Sequence, residues 1–324
     1  MSNPALPGRS DLRRALSSNG ALLAVIALLI LLVLVGAGLN DRFATVSNLT
    51  NVFEQSAGLG LVSLGQTLTV LTAGIDLSVG SMMSLISTLA SGLIDGDLAR
   101  AAWVIPAVLV LAAAIGGGNG LLIHWLGVHP LIVTLGTGTV MQGVVLLYSL
   151  TPTGAMPFEL EWIAYDRFLG LPIGATITVL LFILVALMLR YTTIGRDVYA
   201  YGDDPEAARL MGISQRKVLI FVYAMSGFFA GLAGLYLSIR FGIGDPYQGQ
   251  NYTLASITPV VVGGTMLTGG RGGVIGTLFG VLLVSLLNNL LNFLQVSTHL
   301  QLVVQGLIII AAVSIYIERK RGLA

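Results

Sequence analysis

The sequence predicts an all-α membrane protein of about ten transmembrane helices with both termini on the cytoplasmic side, and three observations carry that prediction. The first is composition. Hydrophobic residues make up 55% of the 324-residue chain and charged residues 10%, where a soluble domain carries about 25% charged residues. So apolar a chain cannot cover itself from water in one globule, and a bilayer is its natural solvent. The second is the spacing of apolar runs. A helix needs about 20 apolar residues to cross the hydrocarbon core. Ten runs lie near residues 20–38, 56–73, 77–94, 100–118, 130–150, 171–189, 218–238, 252–267, 273–291 and 299–316. The third is where the positive charge falls. With the N-terminus inside, the inner segments hold twelve of the sixteen Lys and Arg residues, and only Arg42, Arg100, Arg167 and Arg240 fall outside. Positive charge concentrates on the cytoplasmic side of membrane proteins. A count of nine or eleven spans would put Arg319, Lys320 and Arg321 outside and spoil the bias.

Taken in order, the elements read as follows. Residues 1–19 form a cytoplasmic tail with Arg9, Arg13 and Arg14. The apolar run from Ala21 to Val35 continues to Leu39 without an Ala-x-Ala-like cleavage site, so it is expected to stay as the first span rather than leave as a signal peptide. The fourth run extends toward Trp125 through Gly116, Gly117 and Gly118, and the eighth is short. Two loops are long: 151–170, outside, with Glu159, Glu161, Asp166 and Arg167, and 190–217, inside, the most polar stretch of the chain. The membrane domain covers 20–317, and 318–324 is a second cytoplasmic tail. Of the 41 glycines, Gly272, Gly276 and Gly280 form one four-residue stripe and Gly227 and Gly231 another, which suits close helix packing in lipid. Leu71-Thr72-Ala73-Gly74 is faintly echoed by Leu267-Thr268-Gly269-Gly270, each followed six residues on by a glycine.

Several chemistries are excluded or disfavoured. A nucleotide-binding phosphate loop needs Gly-Lys-Ser/Thr after glycine-rich backbone, and the only lysines, Lys217 and Lys320, each follow an arginine. The chain therefore has no ATPase motif of its own. The absence of cysteine removes disulfides and thiol chemistry. His124, His129 and His299 are scattered at span ends, so no metal site is expected. No Ser-His-Asp order or pair of intramembrane carboxylates points to an enzyme. A net charge of +1 gives no reason to expect a nucleic-acid partner.

Two features carry chemistry. Asp76 sits in Gly74-Ile75-Asp76-Leu77-Ser78-Val79-Gly80, between the second and third runs. A carboxylate at membrane depth costs about 2.5–3.5 kcal/mol on insertion scales, so it needs a partner or an aqueous end. It reads either as an ion relay or as a cap at the positive end of the following helix. The second feature is in the 190–217 loop. Asp204 can cap a helix, Pro205 and Glu206 suit its first turn, Ala207, Ala208, Leu210 and Met211 continue it, and Gly212 ends it. A short cytoplasmic helix with a small apolar side follows, either as a docking element or as a plain connector.

At these motifs the chain resembles the ribose-type permease family of bacterial ABC importers. The matching pieces are Gly65-Gln66-Thr67-Leu68 with Leu71 to Ser81, including Gly74, Asp76, Leu77, Ser78 and Gly80; Gly195-Arg196 with Asp204-Pro205-Glu206-Ala207-Ala208-Arg209 and Gly212-Ile213; Val262-Gly263-Gly264-Thr265 with Gly269-Gly270-Arg271-Gly272 and Gly276-Thr277; and Leu287-Asn288-Asn289-Leu290-Leu291-Asn292. Order and spacing agree from about residue 40 to 316. The resemblance implies the ABC importer permease fold in a bacterial inner membrane, without catalysis in this chain. It implies two permease subunits forming the pathway, cytoplasmic ATP-binding subunits that bind ATP and Mg and grip the helix from Asp204 to Gly212, and a periplasmic binding protein that delivers a sugar. Two departures stand out. Tyr252-Thr253-Leu254-Ala255-Ser256-Ile257 lacks two acids common in the family, and Gln142 replaces a common arginine. They point to a variant substrate or to one half of a heterodimeric pair. The other classes weighed are an ion-coupled secondary transporter and an ABC permease for branched-chain amino acids or a signalling furanose.

Overall fold

The computed structural model describes residues 20–297, 299–308 and 310. The tails 1–19 and 318–324, with Arg9, Arg13, Arg14 and the Arg319–Arg321 cluster, and the end of the tenth predicted span lie outside the described residues. The long helices are α1 (Gly20–Leu39), α2 (Val46–Leu71), α3 (Val79–Ile94), α4 (Leu98–Leu126) and α5 (Pro130–Tyr148). After a 3-10 turn at Phe158–Leu160 come α6 (Trp162–Tyr165), the two-residue strands β1 (Arg167–Phe168) and β2 (Leu171–Pro172), and α7 (Ile173–Tyr191). Then follow α8 (Thr193–Asp203), α9 (Pro205–Leu210), α10 (Gln215–Phe241), α11 (Tyr252–Ala255), α12 (Ile257–Val262) and α13 (Val274–Phe293), and α14 (His299–Ile308). Six of these, α1, α4, α5, α7, α10 and α13, are long and apolar enough to cross a membrane.

The centre of the bundle is α10, which packs most extensively on α4 and then on α2 and α3. Glycine makes these approaches close enough. A Cβ on Gly227 would overlap the Ala112 carbonyl of α4, and one on Gly116 the Tyr223 carbonyl of α10. Without a hydrophobic drive between helices in lipid, such backbone approach is the main source of packing. The second stripe behaves differently from its sequence spacing. Gly276 and Gly280 bring α13 onto the carbonyls of Gly263 and Pro259, but Gly272 lies before the helix, at φ +112°. A positive φ of this kind is open to glycine and strained for other residues.

Helix α2 is the most enclosed element, with every residue from Ser56 to Leu71 buried. It starts at Val46, ten residues before the predicted run. Its first turns carry Asn48, Asn51, Glu54 and Gln55, which broke the apolar signal, and the first three are placed against polar partners. Asn48 exchanges two side-chain hydrogen bonds with Asn289 of α13, at 2.9 and 3.1 Å, and Glu54 pairs with Arg240 at 3.5 Å. The fourth run extends to Leu126, as its glycines allowed.

The eighth run departs from a continuous span. α11 and α12 end at Val262, and residues 242–251 before them carry no helix. The helix thus stops five residues short of the predicted end at 267, with Gly263 and Gly264 following, and the stretch before it holds Gly242, Gly244, Pro246 and Gly249, glycine and proline both disfavouring helix interiors. This stretch of turns lies against α3 and is held by several hydrogen bonds. Gly249 N–H donates to Ser84 Oγ at 3.0 Å, Gln142 Nε2 donates to the Pro246 carbonyl at 3.0 Å, and Ser87 Oγ donates to Gln248 Oε1 at 2.8 Å. Thr153 and Gly244 exchange backbone bonds at 2.8 and 3.2 Å.

Candidate functional site

The polar loop after α7 folds as two consecutive helices. Thr192 caps α8 by accepting the Gly195 N–H at 3.2 Å. Gly195 packs so closely on the backbone of Leu189 that no side chain fits there, while Arg196 is exposed. Asp204 then caps α9, its Oδ1 accepting the N–H groups of Glu206 at 2.9 Å and Ala207 at 3.1 Å. Pro205 occupies the first helical position, where its missing N–H is not needed. At the far end Ile213 N–H donates to the Ala208 carbonyl at 3.0 Å and Gly212 sits at φ +83°, a glycine C-terminal stop. Glu206 and Arg209 form an ion pair at 2.8 Å with both side chains largely exposed, so it adds little stability.

Burial divides α9 into two sides. Ala208 is buried against the bundle, whereas Ala207 is exposed, Leu210 is 83% exposed and Met211 is 68% exposed. A small side chain is required where α9 meets the protein, and an apolar pair is left uncovered where it does not.

The end of α8 is held by two loops that the sequence places far away. A Cβ on Gly202 would overlap the Leu71 carbonyl at the end of α2 and the Gly270 N–H. Gly270 N–H itself donates to the Leu71 carbonyl at 3.0 Å. The loop between α12 and α13 is pinned within itself and to α8. Met266 N–H bonds the Arg271 carbonyl at 3.0 Å, Gly273 N–H bonds Thr265 Oγ1 at 3.2 Å, and Tyr199 Oη donates to the Gly272 carbonyl at 2.9 Å. Gly264, Gly269, Gly270 and Gly272 all hold positive φ, and Gly263 meets Gly276 at the start of α13. The two echoed segments, 71–74 and 267–270, therefore lie in contact. Burial raises the Tyr199 and Tyr201 hydroxyls above the usual tyrosine range, so both stay protonated here, Tyr199 donating to Gly272 and Tyr201 accepting from Gln215 Nε2 at 3.0 Å.

Asp76 lies just beyond this junction and is 1% exposed. It does not cap α3 in the ordinary way, because its Oδ1 accepts the Ser78 N–H at 2.9 Å two residues on. That is an Asx turn over residues 76–78, ending immediately before Val79, the first residue of α3. Ser78 Oγ also donates to Oδ1 at 2.5 Å, Ser226 Oγ of α10 donates to Oδ2 at 2.8 Å, and Asn119 of α4 donates to Ser78 Oγ at 3.0 Å. Gln66 of α2 pairs with the Asp76 backbone, donating to its carbonyl at 3.1 Å and accepting its N–H at 3.2 Å in the amide orientation that satisfies both. The next residues are tied to α5, since Leu77 N–H donates to Thr134 Oγ1 at 3.1 Å. Gly80 meets the Gly249 carbonyl and Thr253. One carboxylate thus joins the α2–α3 turn to α4 and α10 and braces them. Among the described residues, no cluster of three or more His, Cys, Asp or Glu is placed to hold a metal ion.

Comparison with known proteins decides the family. Residues 48–313 match the family model described as branched-chain amino acid transport system / permease component. The chain is 36% identical to the ribose import permease protein RbsC of Haemophilus influenzae, over 89% of this chain and 90% of the relative. It is 38% identical to RbsC of Bacillus subtilis, over 91% of each, and 35% identical to the D-allose transport system permease protein AlsC of Escherichia coli, over 89% of each. This chain belongs to the ribose-type permease family of ABC importers. No solved structure matches it.

In this permease, the motif residues of the 71–80, 195–213 and 263–277 segments converge on one junction. Asn288 and Asn289 do not. They lie along α13, where Asn289 meets Asn48 and Asn288 accepts a hydrogen bond from Gln305 of α14 at 3.1 Å. Gly202, Tyr199, Ser226 and Asn119 belong to the junction and its brace but were not singled out from the sequence. Their only signal is local, a glycine in a cytoplasmic helix and small polar residues inside apolar helices.

Proposed function

We propose that this multi-pass membrane protein is the permease subunit of an ATP-driven, binding-protein-dependent importer, carrying a small sugar such as a pentose, hexose or related polyol across the bacterial inner membrane. The observation that carries this reading is α9, a capped helix that buries Ala208 and leaves Leu210 and Met211 uncovered. An exposed apolar pair on a rigid element suits a groove on a partner. The partner class is a cytoplasmic ATP-binding subunit, which binds the ATP and Mg that this chain has no motif to hold. The sugar class draws on relatives named for ribose, allose and fructose.

The ten spans of this reading are α1 to α5, α7, α10, the discontinuous segment 242–262, α13 and α14, in one membrane domain over 20–317 with both tails cytoplasmic. That topology sets α9, the 72–78 turn and the 263–273 loop on the cytoplasmic side, where their mutual contacts require them to be. Motion of a docked α9 would reach α2 through Gly202 and Leu71 and α13 through Tyr199 and Gly272. ATP binding in the partner shifts the permease between outward- and inward-facing states only if the partner contacts differ between them. A periplasmic sugar-binding protein docks above, and a second permease subunit, another copy or a paired chain, completes the pathway.

The test is a pull-down of the tagged chain from native membranes in detergent, followed by reconstitution and uptake of D-ribose, D-allose, D-fructose and leucine. Co-purification of an ATP-binding subunit with ATP-dependent sugar uptake supports the reading. Leucine uptake alone overturns the sugar class. Ion-driven uptake by the isolated chain overturns the importer.

A further inference from the structure

We infer that the facing surfaces of α2 and α13 form a wall of the translocation pathway that contacts the sugar's hydroxyl groups; this rests on the import reading given above. A cleft of about 130 Å³ opens between them, lined among others by Gln55, Tyr252, Ser285, Asn288, Asn289 and Asn292. Ser285, Asn288 or Asn289, and Asn292 follow one another at three- and four-residue spacing, so they share one face of α13.

Three carboxamide pairs run along this face: Asn48 with Asn289 at 2.9 Å, Gln305 with Asn288 at 3.1 Å, and Gln301 with Asn292 at 2.7 Å. Each carboxamide has two donor hydrogens and two acceptor lone pairs, so Asn288 and Asn292, each accepting one bond among the described residues, keep most of their capacity free. Gln55 and Ser285 make no side-chain hydrogen bond among the described residues, and both Gln55 and Asn292 are exposed.

Such a face cannot rest against acyl chains, where each unmet polar group is costly. The contrast with α5 and α7 is direct, since their uncovered side chains include Leu147 at 90% and Leu184 at 60%. The cleft also lies where the discontinuous eighth segment begins its helix, at Tyr252, and broken helices mark substrate sites in many transporters.

The chemistry selects the ligand class. Hydroxyls donate and accept, as carboxamides do, and the Tyr252 ring offers an apolar surface for the carbon face of a sugar ring. Among the described residues, no charged side chain lines the cleft. Glu54, beside Gln55 in the chain, is occupied by Arg240 at 3.5 Å. A zwitterion would find no free countercharge, and a neutral polyol needs none.

The chain has no cysteine, which makes the test direct. Gln55→Cys, Asn292→Cys and, as the lipid-facing control, Leu184→Cys are made in the full importer and exposed to a membrane-impermeant, charged methanethiosulfonate. Labelling at 55 and 292 is expected to run about tenfold or more faster than at 184, because a charged reagent does not reach a thiol in hydrocarbon. D-ribose with its binding protein, at about twice the half-saturating concentration, slows labelling about threefold by occupancy. Gln55→Leu with Ser285→Ala, which removes no bond within the chain, lowers sugar turnover while co-purification of the ATP-binding subunit is unchanged. If the wild type imports sugar but positions 55 and 292 label no faster than 184, or label without slowing by sugar, or the double variant turns over normally, this inference falls and the importer reading stands. If the wild type imports leucine and no sugar, the sugar reading itself is overturned, and the polyol assignment with it.

Discussion

Replacing Asp76 separates a structural brace from a titrating one. In Asp76→Ala, three hydrogen bonds lose their acceptor: those from Ser78 N–H, Ser78 Oγ and Ser226 Oγ. Each buried donor left without a partner costs about 1–3 kcal/mol, so the loss is at least about 3 kcal/mol before any effect of the vacated space. Asp76→Asn keeps most of the network. Its Oδ1 can still accept both bonds from Ser78, and the Ser226 hydroxyl can turn to accept from Nδ2, since a hydroxyl serves in either role. The remaining penalty is the weakening of bonds that had a charged acceptor, about 1–2 kcal/mol in all. Both variants are to be expressed with their partners, scored for intact complex by size-exclusion chromatography, heated to find the apparent Tm, and assayed for uptake per assembled complex. The expected result is a large fall in yield and Tm for alanine, a small one for asparagine, and near-normal uptake by the assembled asparagine variant. Loss of uptake in a fully assembled, stable Asp76→Asn complex would refute the brace and point to proton movement at this carboxylate.

Other perturbations test the coupling region. Glu206→Lys, or Ala207→Trp on the exposed side of α9, is expected to abolish uptake while the chain remains in the membrane, read by co-purification of the ATP-binding subunit. Leu210→Asp with Met211→Asp removes the uncovered apolar pair and is expected to weaken that association about tenfold or more, as burial of two large side chains is worth roughly 3 kcal/mol or above; titration of the solubilised complex measures it. Gly202→Val sets a side chain against the Leu71 carbonyl and the Gly270 N–H; ATPase activity is expected to persist in the complex while sugar uptake per ATP falls. The raised Tyr199 and Tyr201 hydroxyls carry a pH signature. Their contribution to stability is complete below pH 10, where the unfolded tyrosines are also protonated, and declines as pH rises from there through their higher folded values; alkaline unfolding of wild type and Tyr199→Phe compares the two.

The sequence was most legible where one environment surrounds a helix. α1, α4, α5 and α7 are uncovered by protein over much of their surface, α10 and α13 are apolar though packed more deeply, and the apolar runs of all six announce them. The short α9 was equally plain, because Asp204, Pro205 and Gly212 act within a few residues of themselves. What the sequence hid depends on distant partners. Asn48 and Asn289 are 241 residues apart, and nothing local to either says that each completes the other. The same holds for Ser226, whose hydroxyl meets a carboxylate 150 residues earlier. The eighth run looked like a short span because its residues 252–262 are apolar and largely helical, while the glycine-rich stretch 242–251 before it gave no span signal and relies on side chains of α3 and α5. The faint echo between 71–74 and 267–270 was too brief to weigh as a pattern, yet the two turns touch.

The enclosure of α2 bears on how the protein is made. Its sixteen residues from Ser56 to Leu71 are buried on every side, and it is absent from the six helices apolar enough to cross a membrane on composition alone. Emerging from the ribosome, α2 meets none of the neighbours that later surround it. One of its main supports is α10, which begins more than 140 residues downstream. Its residence in the bilayer at that stage depends on α1 and α3 on either side, or on the insertion machinery that shelters it. Only once α10 has been synthesised does α2 acquire its permanent surroundings, so the order of translation and the order of assembly run apart for this helix.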